Sequence, residues 1–235
     1  METIYTIPVN EAFDLGVENK ESGCPFCTLY KKLEANELDL ILGASMMEPD
    51  VRIMTNDLGF CRRHFDKMFH LKNRLGLALI LESHIAEVRK KLHGEGLGAL
   101  KGGRAAEAVR KLSALEASCY VCRRIDQNLD RMADTAVILY ESDRAFRKKL
   151  AEQPYFCLPH YRLLIEKAKK NMQKKLFPVF HKEMETIEEK ALDTLGNDVS
   201  WFCKKFDYRY NDEPWYNAKD AVERTIRFLS GLKEE

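Results

Sequence analysis

The stretch CPFCTLYKKL, from Cys24 to Leu33, places a C-x-x-C pair directly before a segment whose apolar residues have helical spacing. Such a pair occurs in redox-active turns, in metal sites and as unreactive core cysteine. The motif alone does not distinguish these alternatives. The distinction depends on whether the rest of the chain supplies matching ligands, and whether it does so more than once.

The pair belongs to a longer repeated pattern. CPFC is followed by FCRRH, and CYVC, about 95 residues further along, is followed by FCLPH at nearly the same distance. The eight candidate metal ligands in these motifs are Cys24, Cys27, Cys61, His64, Cys119, Cys122, Cys157 and His160. Downstream, His84 and His181 also occupy equivalent places. The pattern predicts a duplication in which each half carries one complete set of four ligands.

Three thiols and one imidazole form the donor set of a closed, tetrahedral structural zinc site. Residues i and i+3 at a helix start point the same way, so each pair can bind one ion as a short clip. We expect the clips Cys61–His64 and Cys157–His160 to lie at helix N-termini, where the helix dipole favours thiolate. The sequence predicts two zinc ions per chain, each bound within one repeat and stapling it.

Other cysteine chemistry fits the sequence less well. A redox-active CPFC turn is typical of a βαβ context, which the chain lacks, and it does not need a partner C-x-x-H. Covalent haem attachment requires histidine directly after the pair, where Thr28 and Arg123 stand. An iron–sulfur cluster on three cysteines and one histidine stays open as a less usual alternative to zinc.

Apolar residues recur at helical spacing along the chain, without the convincing alternation that is typical of strands. The predicted apolar stripes comprise Leu29, Leu33 and Leu40; Leu77, Leu81, His84, Val88 and Leu92; Ile125, Leu129, Met132, Ala136 and Leu139; Tyr161, Leu164, Ala168, Met172 and Leu176; Met184, Ile187, Ala191 and Leu195; and Val222, Ile226 and Leu229. Pro178 is expected to kink or end the helix between the fourth and fifth stripes. The predicted fold class is all-α.

The predicted organisation has four consecutive parts. Residues 1–95 and 105–196 are the first and second helical metal-binding repeats. Residues 96–104 are a linker, because the segment HGEGLGALKGGR has five glycines in twelve residues. Residues 197–235 have no counterpart in the first half and are rich in aromatic residues, so they are expected to form a C-terminal helical and aromatic cap.

The charge balance and the N-terminal sequence limit the cellular locations and the classes of partner that the sequence predicts. The 38 Lys and Arg nearly cancel the 37 Asp and Glu, so no net field directs the protein to nucleic acid or anionic lipid. The first residues lack the pattern of a signal peptide, and the longest aliphatic run, LALIL, is too short to cross a bilayer. We therefore expect a cytoplasmic protein with reduced cysteines. The seventh cysteine, Cys203, lies beside Trp201 and Phe202 and is expected to be partly buried.

The leading functional interpretation is a non-catalytic, zinc-stabilised helical protein that binds a protein partner or acts as a regulatory module. A closed four-ligand shell favours this over an enzyme, because catalytic zinc needs an open coordination position. The alternatives are a thiol-redox or metal-responsive regulator, and a nucleic-acid-binding protein that uses the basic stripe Lys167, Lys170 and Lys174. His84 and His181 are interpreted as packing residues, and no membrane partner is expected.

The duplicated motifs carry a family resemblance. Together with the C-terminal segment FDYRYNDEPW, the GFCRRH and FCLPH units resemble the bacterial domain-of-unknown-function family 6062, from about Pro8 to Leu232. Some members of that family are labelled ABC-transporter substrate-binding proteins, but the resemblance implies no established activity. The transporter label fits this sequence poorly, because such a protein is expected to be exported or lipid-anchored and usually α/β.

Overall fold

The computed structural model describes residues 5–93 and 103–232, and all regular secondary structure in these two ranges is helical. This confirms the all-α prediction. Most of the predicted linker, residues 96–102, lies outside the described residues. None of the helices within the described ranges is both long enough and apolar enough to cross a membrane.

The described residues form eleven α-helices. They are α1 (Thr6–Glu18), α2 (Pro25–Leu42), α3 (Pro49–Leu58), α4 (Arg62–His70), α5 (Arg74–Leu92), α6 (Arg104–Glu116), α7 (Tyr120–Ser142), α8 (Arg144–Ala151), α9 (Leu158–Asn171), α10 (Phe177–Lys204) and α11 (Ala221–Ser230). Short 3₁₀ helices cover Lys20–Ser22, Ala44–Met47 and Tyr208–Tyr210.

Local sequence explains several helix boundaries. The Asp143 carboxylate accepts a hydrogen bond from the Ala145 amide and so caps the start of α8. Pro178 lies in the first turn of α10, where its missing N–H costs nothing, and α9 has already ended at Asn171. The predicted interruption before Pro178 is therefore confirmed. Gly59 ends α3 at a φ of 58°, a conformation that favours glycine.

The helices form two compact units. The sequence predicted two repeats that follow one another along the chain, whereas one of these units combines two separate segments. Unit one combines the described parts of Met1–Lys31 and Leu129–Lys233, whereas unit two is the continuous segment Lys32–Asn128. The boundaries between the units fall inside α2 and α7. Each unit thus contains parts of both predicted repeats, 1–95 and 105–196.

The core of unit one is built on aromatic side chains. The ring of Phe13 on α1 lies 4.7 Å from Phe146, 6.0 Å from Phe156 and 6.2 Å from Phe26, measured between centroids. All four rings are fully buried. Because Phe26 and Phe156 each lie next to a candidate ligand cysteine, this cluster brings residues from both ends of the chain together.

The core of unit two centres on α5, which packs against α3, α4 and α6. The buried apolar side chains of unit two include Leu38, Ile41, Met68, Leu77, Ile80, Val121 and Ile125. Leu38 and Ile41 belong to α2, whose predicted stripe included Leu40 instead. Leu40 is in fact 52% exposed, so the buried face of α2 was assigned incorrectly at this end of the helix.

The last helix, α11, also faces the core differently from the prediction. Val222, Ile226 and Leu229 are 40%, 56% and 51% exposed. The buried side is formed by Ala221 and Phe228, and Phe228 packs against Ala191, Leu195 and the ring of Tyr155. The aromatic ring of Phe228 buries more apolar area than any of the three aliphatic side chains. This explains why the face of α11 that carries Phe228 packs against the core.

Candidate metal centres

The structure brings the eight predicted ligands together as two groups of four. Site one consists of Cys24, Cys27, Cys157 and His160, and site two consists of Cys61, His64, Cys119 and Cys122. In each group the four ligand atoms lie within 4.8 Å of one another. Each site therefore takes its C-x-x-C pair from one half of the sequence and its C-x-x-H pair from the other. The prediction that each repeat forms its own site is wrong.

Contacts beside the clips explain this exchange of partners. At site two, the Tyr120 amide donates to the Gly59 carbonyl at 2.9 Å, and the Ser118 hydroxyl donates to the Leu58 carbonyl at 2.7 Å. These hydrogen bonds join residues within and directly before the C-x-x-C clip to residues just before the C-x-x-H clip. At site one, Phe26 lies within the C-x-x-C clip and Phe156 directly before the C-x-x-H clip, and both pack on Phe13. Because any C-x-x-C clip fits any C-x-x-H clip geometrically, contacts of this kind favour one pairing over the other.

All four clips lie at the start of a helix, as the sequence predicted for two of them. Cys61 and Cys157 are the N-cap residues of α4 and α9. Cys24 and Cys119 directly precede the first residues of α2 and α7. Two helix N-termini therefore meet at each site, and their dipoles favour the thiolate form of the cysteines.

In site one, the imidazole of His160 faces the thiols through Nδ1. This atom lies 3.0 Å from Sγ of Cys157, 3.5 Å from Sγ of Cys24 and 3.6 Å from Sγ of Cys27. The sulfur atoms of Cys27 and Cys157 are 3.6 Å apart. The ring of Phe26 packs against the histidine ring, with 5.7 Å between centroids.

Site two has the same arrangement around His64. Its Nδ1 lies 3.2 Å from Sγ of both Cys61 and Cys119 and 3.4 Å from Sγ of Cys122. The sulfur atoms of Cys61 and Cys122 are 3.9 Å apart. A tetrahedral zinc ion with ordinary bond lengths separates two sulfur ligands by about 3.8 Å and a sulfur from a nitrogen ligand by about 3.6 Å. The sulfur–sulfur distances of 3.6 and 3.9 Å are near the first of these values, and the sulfur–nitrogen distances of 3.0 to 3.6 Å lie at or below the second.

Site one is enclosed by the C-terminal turn. A methyl group at Gly231 would lie 3.2 Å from Sγ of Cys157, and the backbone of Leu232 hydrogen-bonds to the Cys27 sulfur. Burial raises the pKa of the Cys24 thiol far above its usual range. A metal that binds here must displace the thiol protons, which makes its affinity dependent on pH.

A buried glutamate lies next to the Cys157 clip of site one. Glu188 on α10 accepts a hydrogen bond from the Phe156 amide at 2.8 Å, one residue before the Cys157 clip. Its second carboxylate oxygen is buried and has no hydrogen-bond partner among the residues that the structure describes. Burial raises the pKa of Glu188 to about 7, opposed in part by the hydrogen bond from Phe156.

Site two is more open, and charged side chains support it. Cys61 and Cys122 are half-buried, while His64 is fully buried. Glu34 on α2 lies 3.1 Å from Nε2 of His64, and it also pairs with Lys67 and Arg63. Glu34 was missed by the sequence analysis, because a helical glutamate usually faces solvent. The available signal was its position on the buried stripe that continues through Leu38 and Ile41.

The remaining candidates lie outside both ligand groups. His84 is buried on α5, as expected of a packing residue, whereas His181 is partly exposed and lies 3.5 Å from Glu185. Cys203 is exposed, so the expectation of partial burial was wrong. Its neighbours Trp201 and Phe202 pack on aromatic rings of the following segment instead of covering the thiol.

Comparison with known proteins identifies a family without an assigned activity. A family model described as a family of unknown function, DUF6062, matches residues 1–235. No curated protein and no solved structure matches the chain.

Proposed function

The chain belongs to DUF6062, a family of unknown function, and we propose that it is a non-catalytic helical protein stabilised by two zinc ions. One ion is bound at site one and the other at site two. The protein acts as a protein-interaction or regulatory module in this proposal. The observation that carries it is the presence of two separate Cys₃His donor sets, each with its four ligand atoms within 4.8 Å of one another.

The donor chemistry supports zinc over the alternative cofactors. Three thiolates and one imidazole are the ligands of structural zinc sites. An iron–sulfur cluster has to fit several metal and sulfide ions between its ligands. The four ligand atoms of each group lie within 4.8 Å of one another, which suits a single ion.

The set of four protein ligands at each site also supports a structural role for the metal. Four protein ligands complete a tetrahedral zinc ion, so no position is open for a substrate or for an activated water. Metal binding then contributes directly to folding, because the ligands are brought together only in the folded chain. The exposed apolar row Val222, Ile226 and Leu229 on α11 supports a protein partner over a nucleic acid.

The two alternative functions have less support. In site one, Cys24 and Cys27 lie beside His160 and Cys157, which supports a role as ligands over that of an isolated redox pair. The basic stripe proposed for nucleic acid loses part of its free charge, because Lys167 is paired with Asp130 and Asp134 at 2.7 and 3.0 Å.

Elemental analysis of the full-length protein, purified without chelator, tests the proposal. We expect two zinc ions per chain. Replacement of zinc by Co²⁺ should give the absorption spectrum of tetrahedral cobalt–thiolate sites, with an intensity equivalent to two ions. A metal content of one ion or none, or an octahedral cobalt spectrum, would contradict the proposal. Iron in place of zinc, with sulfide present, would favour the cluster alternative.

A further inference from the structure

The two ring nitrogens of His64 face chemically different groups. Nδ1 points to the three thiols of site two, the nearest of them at 3.2 Å. Nε2 points away from the thiols and lies 3.1 Å from Oε1 of Glu34. The ring is fully buried, so water does not compete for either nitrogen.

This arrangement selects one tautomer of the imidazole. A metal ion at site two needs the lone pair of Nδ1, and the ring proton must then be on Nε2. A proton on Nε2 is donated to the Glu34 carboxylate. In the other tautomer, the lone pair of Nε2 would face a carboxylate oxygen at 3.1 Å, and the two would repel each other. The carboxylate therefore favours the tautomer that binds metal.

Glu34 is itself held in place by two cations. Lys67 donates to Oε2 at 2.6 Å, and a terminal nitrogen of Arg63 lies 3.0 Å from Oε1. The same Arg63 nitrogen lies 3.3 Å from Nε2 of His64. Because this nitrogen is a donor and is closer to the carboxylate, it stabilises the ionised form of Glu34 and leaves Nε2–H as the donor to that carboxylate.

We propose that Glu34 is a positioning residue of site two, which orients His64 and fixes its Nε2–H tautomer for metal binding through Nδ1. The inference rests on the proposed zinc-binding function, since it concerns one of the two sites. Glu34 does not contact the metal. It acts through His64, as carboxylates behind metal-bound histidines commonly do.

The chain offers a matched control on the same helix. Glu37 lies one turn after Glu34 and is equally buried, at 7% compared with 8% exposure. Glu37 pairs with Arg124 at 3.3 Å and belongs to neither ligand group. Glu34→Gln and Glu37→Gln each remove one buried negative charge from α2 while keeping the shape of the side chain. Only Glu34→Gln alters the group behind His64.

The experiment measures the affinity of each site in the full-length, zinc-loaded protein. The protein is equilibrated with chelator-buffered zinc, the unprotected thiols are alkylated, and the labelled cysteines are mapped by mass spectrometry. Labelling of Cys61, Cys119 and Cys122 reports site two, and labelling of the other three ligand cysteines reports site one. We expect Glu34→Gln to weaken zinc binding at site two by about 10–100-fold, with site one unchanged.

A second measurement separates positioning from general destabilisation. In the zinc-loaded protein, long-range ¹H–¹⁵N spectra of the histidine rings report which nitrogen of His64 carries the proton. The Nε2 proton of His64 should be at low field because it is donated to a carboxylate. We expect this signal to move upfield in Glu34→Gln and to stay in place in Glu37→Gln.

The outcomes are distinguishable. Unchanged site-two affinity in Glu34→Gln, or an equal loss in Glu37→Gln, would overturn the role of Glu34 while leaving the zinc sites intact. Proton density on Nδ1 of His64 in the loaded protein would also overturn it. If the unaltered protein protects none of the three site-two cysteines at any zinc concentration, then both the positioning role and the proposed function fail.

Discussion

Sites one and two have the same four donor types at similar distances, but they are supported by different surroundings. Site one is deeply buried under the C-terminal turn, with the thiols of Cys24 and Cys157 almost inaccessible. Site two leaves Cys61 and Cys122 half-buried. Behind each site stands a glutamate. The glutamate at site two is paired with cations, and within the described ranges the glutamate at site one has a backbone amide as its hydrogen-bond partner.

This difference lies in the surroundings of the two ligand groups and not in their donor atoms. Lys67 and Arg63 outweigh the effect of burial and hold the pKa of Glu34 below its usual value. No cation among the described residues offsets the burial of Glu188, and burial raises its pKa to about 7. We therefore expect site two to be stabilised by charge and open to reagents, and site one to be stabilised by enclosure.

The largest expected effect comes from removing one ligand from each site. Structural zinc contributes about 10–16 kcal/mol of apparent free energy, as much as the net stability of a whole domain. Cys61→Ser should therefore lose one zinc ion and lower the melting temperature by more than about 10 °C. Cys157→Ser should lose the other ion. Elemental analysis and calorimetry measure both effects.

The same two variants test the pairing of the clips. With the pairing in the structure, Cys61→Ser should expose Cys119 and Cys122 to alkylation and leave Cys24 and Cys27 protected. Pairing within repeats predicts the reverse, with Cys24 and Cys27 exposed. Peptide mapping after brief labelling distinguishes these two outcomes. Exposure of Cys24 and Cys27 would refute the pairing of clips on which the contrast between sites one and two depends.

A second prediction concerns the rates of thiol modification in the unaltered protein. Exposed Cys203 should be alkylated first without any chelator. After a chelator is added, Cys61 and Cys122 should react at least about tenfold faster than Cys24 and Cys157, because solvent access limits attack. Time-resolved mass spectrometry measures the order. Equal rates at the two sites would mean that enclosure by the C-terminal turn has no effect on metal release.

A third prediction concerns pH and Glu188. Its pKa is about 7 in the folded chain and 4.5 as a free group, so the folded state binds more protons between these values. The free energy of unfolding should therefore lose the contribution of this group as the pH rises from 4.5 to 7. The full shift corresponds to about 3 kcal/mol, and partial solvent access reduces it to about 1–2 kcal/mol.

The variant Glu188→Gln isolates this contribution. Relative to the unaltered protein, it should be more stable at pH 8 than at pH 5, because a neutral amide cannot ionise in the buried site. Metal ligands titrate equally in both proteins, so the difference between their unfolding curves removes that effect. A difference that does not change with pH would show that burial does not shift the pKa of Glu188, and this contrast between sites one and two would then be lost.

The smallest expected effect concerns the turn over site one. Gly231 and Gly103 have φ angles of 74° and 79°, so alanine at either position costs about 1 kcal/mol of backbone strain. Only at Gly231 would the added methyl group also crowd a ligand, at 3.2 Å from Sγ of Cys157. At Gly103 it would meet no atom within 4 Å. Denaturant unfolding and zinc release from site one should therefore respond more to Gly231→Ala than to Gly103→Ala.

Much of the fold follows from local sequence patterns. The stripe Ile125, Leu129, Met132 and Ala136 is buried as predicted, because helical spacing of apolar residues determines which face turns inward. The clips lie at helix starts for equally local reasons. The stripe of α11 was misassigned because Phe228, on the other face, buries more apolar area than Val222, Ile226 and Leu229.

The pairing of the clips could not be predicted in the same way. A C-x-x-C pair at one helix start can share a metal ion with either C-x-x-H pair, so spacing within the sequence does not distinguish them. The choice depends on contacts between distant residues, such as the hydrogen bond from Tyr120 to Gly59 and the packing of Phe156 on Phe13. Glu34 was missed for a similar reason, since its partner His64 is 30 positions away.

The exchange of partners between the clips also has a consequence for the growing chain. His64 and Cys119 of site two are 55 positions apart, and this segment lies inside the 130 positions that separate Cys27 from Cys157. During synthesis, Cys122 leaves the ribosome before Cys157 and His160 do, so site two can close first. Its closure shortens the outer loop and lowers the entropic cost of closing it by about 0.5 kcal/mol. Metal bound early at the inner pair thus favours completion of the outer one.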